Sequence, residues 1–535
     1  MRHTRLLLAL LPFLLISAPS VDELLQRAES KIQSEQFEAS EPLLLQALKL
    51  DPRHTLVLYR LGYVHYRQRK LSAARAEFGS VVKFAPPAYY SRYFLGRIAL
   101  IENKPKEAIA WLEPILQDKQ SIFDTPAQLA NAYSGAGLPR KAIEALRIAL
   151  AEVPWDASLY YRLGRLHTSL GEAELAAEAN GNSSRLRNAS REDVEILMQV
   201  SRLLGEGKQA EALRIGAQIS GRSTADPNAL VALGIVYGNA NLQAEALDAF
   251  ARAAGSDANF FQAHYNRGLA LLKLNRPSDA IGPLADAASL LPQSGEASKA
   301  LGVAAVMLQR YGDAVAPLER AWRSDGPEVR VGALLATAYI RTGSPKKAIA
   351  LLNSDTLQSA SDPAPLLLQV EALNAAEDAD GALQAALKLQ TRFPKLPQAH
   401  LAAAQQFARL GRYQEAQPGF LAALQLMPGH PEAALGLADT LSRAGEHQSA
   451  IEHYRTASGN PRTAVAARTG KARSLIALRQ FEKAREFLEE GIQTHPSEAL
   501  LRIELSRVYA RLGKPEQAAE QSRIAEKLRA DAERR

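Results

Sequence analysis

Residues 56–86, LVLYRLGYVHYRQRKLSAARAEFGSVVKFAP, decide the fold. They contain two short amphipathic helical patterns joined by the polar segment QRK. Gly62 lies in the first pattern and Ala74 in the second, and such small side chains let two helices approach closely. Phe78 follows Ala74 by one helical turn, and Pro86 ends the second pattern because proline cannot continue a helix. The stretch therefore predicts a helical hairpin.

The same pattern recurs along the chain with a period of 34 residues, which indicates a repeat protein. The small residue of the second helix marks each repeat, and one step of 36 residues separates Ala210 from Ala246. The marker residues are Ser40, Ala74, Ala108, Ala142, Ala176, Ala210, Ala246, Ala280, Ala314, Ala348, Ala382, Ala416, Ala450, Ala484 and Ala518. We therefore expect fifteen hairpins, each packed on its neighbours in sequence.

This pattern resembles the tetratricopeptide repeat family, whose unit is a helix–turn–helix of 34 residues. The repeat that begins at Pro227 carries the small and aromatic positions of the family as Gly234, Tyr237, Ala246 and Phe250. The resemblance covers essentially the whole chain after residue 20. It implies an all-α fold, a right-handed α-α superhelix (solenoid) of about fifteen tetratricopeptide repeats.

The first twenty residues differ from the repeats and have the layout of a secretory signal peptide. A basic start with Arg2 and Arg5 precedes an apolar run, which is short for a bilayer span of about 20 residues. Ala18 and Ser20 supply the small residues before a cut at Val21. We expect an exported protein, periplasmic or extracellular, cleaved near Ser20. The alternative is an uncleaved leader that leaves the array cytoplasmic or tethered to a membrane.

The repeat pattern also predicts how the chain is divided. It is weakest between residues 180 and 226, where polar residues and a two-residue slip interrupt it. We expect a signal peptide at 1–20, about five repeats at 21–190, an irregular repeat or hinge at 191–226, and about nine repeats at 227–535 with a charged capping helix. A longer surface loop is the alternative to the hinge.

Composition and motifs favour a binding protein over an enzyme. The chain has 64 basic and 57 acidic residues and no cysteine, which excludes disulfides, cysteine-ligated zinc and thiol catalysis. It contains no phosphate-binding loop, zinc-protease motif or serine-hydrolase motif. We therefore predict no catalytic residues, no metal site and no cofactor. The basic residues form no dense cluster, so nucleic acid is not an expected partner.

The resemblance implies that one face of each first helix lines a groove for a partner. In the early repeats this face is rich in tyrosine and arginine. Tyrosine packs at low entropic cost, and arginine binds carboxylates through paired hydrogen bonds. The predicted partner-binding residues are Tyr59, Arg60, Tyr63, Tyr66, Arg67, Tyr90, Tyr93, Arg97, Asn131, Tyr161, Arg162 and Arg165. The alternative is that the rings pack between repeats, as we expect for Tyr133.

Together these features predict a non-catalytic protein–protein interaction scaffold that binds a peptide or protein partner in its concave groove. The basic lining favours an acidic partner. The alternative function is an accessory component of exopolysaccharide synthesis or export, which would bind an acidic glycan or a membrane synthase. Contact with a membrane is expected only through a partner or an uncleaved leader.

Overall fold

The computed structural model describes residues 19–118, 122–187, 191–222, 225–324 and 326–533. The predicted signal peptide lies outside these residues, apart from its last two. Every regular element in the described ranges is a helix, and none is a strand. Contacts divide the chain into two units, Met1–Leu274 and Asn275–Arg535.

The helices of unit 1 are α1 (Val21–Gln33), α2 (Phe37–Leu50), α3 (Thr55–Arg67), α4 (Leu71–Phe84), α5 (Tyr89–Ile101), α6 (Pro105–Gln117), α7 (Thr125–Gly135), α8 (Pro139–Glu152), α9 (Ala157–Ser169), α10 (Ala173–Arg187), α11 (Arg191–Gly205), α12 (Gln209–Ser220), α13 (Pro227–Asn239), α14 (Gln243–Ser256) and α15 (Phe261–Lys273). From α1 to α14, consecutive helices pair as hairpins. The hairpins from α1 to α10 stack in order, whereas α13 packs against α8, α10, α11 and α12.

The helices of unit 2 are α16 (Pro277–Leu290), α17 (Gly295–Met307), α18 (Tyr311–Ser324), α19 (Val329–Arg341), α20 (Pro345–Leu352), α21 (Asp355–Gln358), α22 (Ala364–Ala375), α23 (Ala379–Arg392), α24 (Pro397–Arg409), α25 (Tyr413–Leu426), α26 (Pro431–Arg443), α27 (His447–Ala457), α28 (Ala464–Ala477), α29 (Phe481–Thr494), α30 (Ala499–Arg511) and α31 (Pro515–Glu533). Hairpin pairing resumes at α17, and α21 is a short extra helix after α20. The predicted all-α helical repeat is confirmed.

The turn between paired helices contains one residue with a positive φ, and this residue repeats along the chain. The amide of the residue that follows it donates a hydrogen bond to the last turns of the preceding helix. After α1, for example, the Gln36 N–H donates to the Lys31 carbonyl. The residues are Glu35, Arg69, Asn103, Gly137, Gly171, Gly207, Asn241, Asn275, Gln309, Gly343, Glu377, Gly411, Gly445, Arg479 and Gly513. These fifteen turns in the described part of the chain confirm the predicted number of repeats.

The two-residue slip lies earlier than the sequence suggested. The positive-φ residue moves by 36 positions between Gly171 and Gly207 and by 34 everywhere else. Ala212 is fully buried and Ala210 is exposed, so Ala212 is the close-contact residue of α12. The prediction of Ala210 for that role was wrong, because both alanines fit the pattern and only packing separates them. Residues 191–222 form the hairpin of α11 and α12, and its role as a hinge stays a prediction.

Small side chains sit where the helices approach most closely. A Cβ atom on Gly62 would lie 2.9 Å from Cε1 of Phe78, and one on Gly234 would lie 2.5 Å from Cε1 of Phe250. Apart from Ala210, all the marker residues predicted from the sequence are buried. The close-packing role of these positions is therefore confirmed.

Unit 1 also contains contacts between hairpins that are not neighbours. The Asn239 side chain on α13 donates a hydrogen bond of 2.5 Å to the carbonyl of Ala151 on α8. Trp155, just after α8, packs against the core of the later helices, and the Arg185 guanidinium lies 5.1 Å from the Phe260 ring centroid. The expectation that each repeat packs only on its neighbours was therefore wrong in this part of unit 1.

Candidate partner-binding face

The twelve predicted partner-binding residues lie on the first helices of four successive hairpins in unit 1. We call this surface the first-helix face. Helix α3 carries Tyr59, Arg60, Tyr63, Tyr66 and Arg67; α5 carries Tyr90, Tyr93 and Arg97; α7 carries Asn131; and α9 carries Tyr161, Arg162 and Arg165.

A buried ring, Phe94 on α5, joins the tyrosines of α3 into one aromatic cluster. Its centroid lies 6.3 Å from that of Tyr59, 5.7 Å from Tyr63 and 5.1 Å from Tyr66. Phe94 also stacks on Phe78 at 5.0 Å, with only 6° between the ring planes. The three tyrosines are each partly buried, so the cluster fixes their rings while leaving part of each at the surface. The sequence prediction did not include Phe94.

Tyr93 is the one residue of these twelve whose side chain is almost fully buried. It is only 3% exposed, and its ring contacts Phe94 at 5.3 Å. Its hydroxyl donates a hydrogen bond of 2.5 Å to Oδ1 of Asp124. Burial, together with this hydrogen bond, raises the pKa of Tyr93. Tyr93 therefore belongs to the core, because its ring fills the space between α5 and the turn before α7.

Two rings on this face are strongly exposed and touch each other. Tyr90 is 55% exposed and Phe123 is 58% exposed, and their centroids lie 5.7 Å apart. Tyr59 contacts Tyr90 at 6.2 Å, and Tyr93 contacts Phe123 at 4.8 Å. The exposed pair thus rests on rings that are themselves packed. Phe123 escaped sequence analysis because it precedes α7 instead of lying on a helix face.

Two of the predicted arginines are already paired within the chain. Arg60 lies 2.9 Å from Glu29, and Arg67 lies 3.1 Å from Glu35. Arg67 also donates a hydrogen bond of 2.8 Å to the Tyr63 hydroxyl, and this bond raises the pKa of Arg67. The charges of Arg60 and Arg67 are therefore balanced before any partner binds.

The other three arginines have no carboxylate partner within ion-pair distance in the described residues. Arg97 donates to the Tyr93 hydroxyl at 3.3 Å. Arg162 donates to the Ala127 carbonyl at 2.8 Å, and burial lowers its pKa. Arg165 is exposed. These three side chains are therefore the ones on this face that can attract a negatively charged group of a partner.

Asn131 and Tyr161 are both accessible but stand apart from the aromatic cluster. Among the described residues, the Asn131 amide reaches only Oε1 of Gln128, at 3.5 Å. Tyr161 is 48% exposed and has the Arg187 guanidinium 5.9 Å from its ring centroid. The structure therefore gathers the residues of α3 and α5 into one surface, and leaves the α9 residues as a separate patch.

In the described part of the chain, no helix combines the length and the apolar character that crossing a bilayer requires. Within the same residues, no group of three or more His, Asp or Glu side chains is arranged to hold a metal ion.

The helical repeats of this chain match the model of a known protein family. The family model for the tetratricopeptide repeat matches residues 25–89, 128–182, 231–294 and 469–533. The chain is a tetratricopeptide-repeat protein. The model for subunit 3 of the anaphase-promoting complex, or cyclosome, matches residues 419–491 of this tetratricopeptide-repeat protein. Proteins of this family are in general non-catalytic scaffolds for protein–protein interaction.

Several solved structures are similar to parts or most of the tetratricopeptide-repeat protein. YrrB, described as having an unusual peptide-binding site, is 20% identical, with 35% of this chain and 96% of YrrB covered and a TM-score of 0.32. MamA from Desulfovibrio magneticus RS-1 is 19% identical, with 32% and 97% covered and a TM-score of 0.31. Cut9–Hcn1 of the anaphase-promoting complex is 13% identical, with 95% and 94% covered and a TM-score of 0.33. No curated protein sequence matches significantly.

Proposed function

We propose that the protein binds a polypeptide partner across the first-helix face of unit 1 and acts without catalysis. The observation that carries this proposal is the exposed pair Tyr90 and Phe123, more than half of each being accessible. Exposed aromatic side chains in contact with each other are typical of interaction surfaces, since burying them on binding releases much apolar area from water.

The packing beneath the pair favours tight binding. Phe94 and Tyr93 are almost fully buried and hold the neighbouring rings in place. A partner that binds rings already held in position loses less conformational entropy than one that must order them. Rigid aromatic anchors surrounded by polar groups are also the residues that dominate measured binding energies at interfaces.

The charges of the face restrict the kind of partner. Glu29 and Glu35 balance Arg60 and Arg67, so these two arginines attract an acidic partner weakly. Of the other three arginines, Arg97 lies on α5 near the aromatic pair, and Arg162 and Arg165 lie on α9. We infer that the partner is a segment that places apolar or aromatic residues against α3 and α5 and acidic residues against α9.

The test starts from a random peptide library displayed on phage and selected on the full chain. Binding of the enriched peptides is then measured by fluorescence anisotropy. We expect the double variant Tyr90→Ser and Phe123→Ser to weaken binding about tenfold or more, as expected for loss of two hot-spot rings. The control is Phe84→Ser with Leu426→Ser, two exposed residues on second helices. Equal binding by both double variants would overturn the proposal.

An acidic glycan is the alternative partner, because tyrosine and arginine also suit sugar rings and uronate carboxylates. The same two double variants separate the possibilities on a column of immobilised alginate. Retention that is lost only in Tyr90→Ser with Phe123→Ser, with no peptide selected from the library, would assign the face to a glycan. That result would favour an accessory role in exopolysaccharide synthesis or export.

We also propose that the protein is exported, on the basis of the leader-like pattern of residues 1–20. In the uncleaved chain Ser20 caps α1, since its hydroxyl accepts from the Glu23 amide and the Glu23 side chain accepts from the Ser20 amide. Cleavage before Val21 removes this cap. N-terminal sequencing of the protein purified from its native cells tests this proposal. A sequence starting at Val21 in an extracytoplasmic fraction supports it, and intact protein in the cytoplasm contradicts it.

A further inference from the structure

Unit 2 contains a polar cavity of about 390 Å³ that lies among three successive first helices, α22, α24 and α26. Its carboxamide and charged lining residues are Asn374, Gln405, Gln406, Arg409, Asp439 and Arg443. Three carboxamides, two guanidinium groups and one carboxylate thus share one cavity. This combination is unlike the aromatic first-helix face of unit 1.

Two carboxamides in the cavity have hydrogen-bonding capacity that the chain leaves unused. Gln406 is only 3% exposed, and its side chain forms no hydrogen bond with any described residue. Oδ1 of Asn374 is sealed from solvent and also has no partner among the described atoms. Leaving a buried polar group without a partner costs about 1–3 kcal/mol, so such groups are rare and need an explanation. Gln406 lines the cavity, so a bound ligand can supply a partner for its carboxamide.

The two arginines of the cavity are also free of ion pairs in the described part of the chain. Arg443 packs against the Tyr413 ring at 5.3 Å, which holds its guanidinium in place without neutralising it. Arg409 is exposed and has no carboxylate of a described residue within 4 Å. In contrast, the nearby Arg412 pairs with Glu415. Arg409 and Arg443 are therefore available for a carboxylate of another molecule.

Asp439 supplies a fixed acceptor in the same cavity, one helical turn from Arg443 on α26. The Tyr454 hydroxyl donates a hydrogen bond of 2.6 Å to Oδ1 of Asp439. More than a third of Asp439 remains accessible, but the surrounding groove desolvates the carboxyl and raises its pKa. Its second oxygen can still accept a hydrogen bond from a ligand N–H. With two unpaired guanidinium groups against one carboxylate, the cavity favours a ligand with net negative charge.

We propose that this cavity is a second binding site, and that it takes an acidic peptide segment. A ligand carboxylate binds Arg409 and Arg443, while the adjacent peptide group bonds with the Gln406 carboxamide and donates its N–H to Asp439. A primary carboxamide suits a peptide group because its NH2 can donate to a peptide carbonyl and its oxygen can accept from a peptide N–H. The site is separate from the first-helix face, so it stands or falls independently of the function proposed for unit 1.

The test uses the full chain and a fluorescein-labelled octapeptide of alternating Ala and Glu, with an Ala–Gln octapeptide as the neutral counterpart. The variant Arg409→Gln with Arg443→Gln removes both free cations. The matched control is Arg276→Gln with Arg310→Gln, which removes two cations of unit 2 that are paired with Asp279 and Asp313. Anisotropy gives the affinity, and thermal unfolding confirms that each variant folds.

We expect the Glu peptide to bind at least tenfold more tightly than the Gln peptide. The Arg409 and Arg443 double variant should lose about tenfold or more in affinity, as hydrogen bonds to charged groups require, while the control changes less than twofold. Gln406→Leu should weaken binding about fivefold without lowering the melting temperature, because it removes an unpaired buried amide.

Two results would overturn the proposal. One is equal affinity for the Glu and Gln peptides, and the other is equal loss in the two double arginine variants. Binding of an acidic oligosaccharide that depends on Arg409 and Arg443, without peptide binding, would assign the cavity to a glycan instead. None of these results bears on Tyr90 and Phe123, so failure here is distinguishable from failure of the function proposed for unit 1.

Discussion

Phe78 and Phe94 stack face to face, with ring centroids 5.0 Å apart, across the junction between the second and third hairpins. Phe78 comes from the second helix of one repeat and Phe94 from the first helix of the next. The same contact therefore holds two repeats together and supports the tyrosines of the first-helix face. Stability and the proposed binding surface share a common core in this part of unit 1.

Replacing Phe94 by alanine should destabilise unit 1 strongly. The side chain is 5% exposed, and removing such a ring costs about 3–5 kcal/mol because a cavity remains. The control is Phe84→Ala, where the ring is 41% exposed and the expected change is within about 0.5 kcal/mol. Urea unfolding followed by circular dichroism compares the two. Similar midpoints would contradict the central place of Phe94.

The corrected position of the slip can be tested with two alanines of one helix. Ala212→Leu should destabilise the protein by about 1–3 kcal/mol, since the buried site has no room for three more carbons. Ala210→Leu adds the same atoms at an exposed position and should be nearly neutral. Thermal unfolding of both variants decides. A larger effect at Ala210 would restore the register first predicted from the sequence.

Close helix contact in unit 2 predicts opposite effects for two glycine-to-alanine changes. A Cβ on Gly436 would lie 2.3 Å from Cε1 of the buried Phe420 ring, so Gly436→Ala should cost about 1–3 kcal/mol. Gly282, inside α16, has no such neighbour within 4 Å among the described residues, and Gly282→Ala should stabilise by about 0.5–1 kcal/mol. Melting temperatures that move in the same direction for both would refute this view of the packing.

The buried imidazole of His167 predicts a loss of stability in mild acid. It is 4% exposed, and burial lowers its pKa, although the hydrogen bond of 2.6 Å to Glu172 opposes this effect. Below its unfolded pKa of about 6.5 the unfolded chain binds a proton that the folded chain does not. The free energy of unfolding should therefore fall as the pH decreases through this value. His167→Gln should flatten the profile between about pH 7 and 5; an unchanged slope would exclude His167 as its origin.

Much of the fold could be predicted because repetition amplifies a weak local signal. Small residues such as Ala74 and Ala416 recur at one period, and each must be small for two helices to touch. The 36-residue step was placed one repeat too late because Ala210 and Ala212 are both alanines, and either fits the small-residue position of the pattern. Gly207 could have corrected it, since it follows Gly171 by 36 residues and marks the turn directly.

The candidate site was harder to predict because burial depends on neighbouring repeats. Tyr93 and Tyr90 lie on the same helix in similar sequence surroundings, yet only Tyr90 is exposed. Phe123 lies in a turn, where helix periodicity gives no information. The contact between Asn239 and Ala151 joins residues 88 positions apart. A repeat pattern predicts contacts between adjacent repeats only, so it cannot predict this one.

The most direct test of the proposed function is hydrogen–deuterium exchange of the full chain, with and without a peptide selected from the library. We predict that the peptide slows exchange in α3, α5 and the segment from Phe123 into α7, and leaves α4, α6 and α8 unchanged. Protection confined to the second helices, or found only in unit 2, would contradict the assignment of the first-helix face.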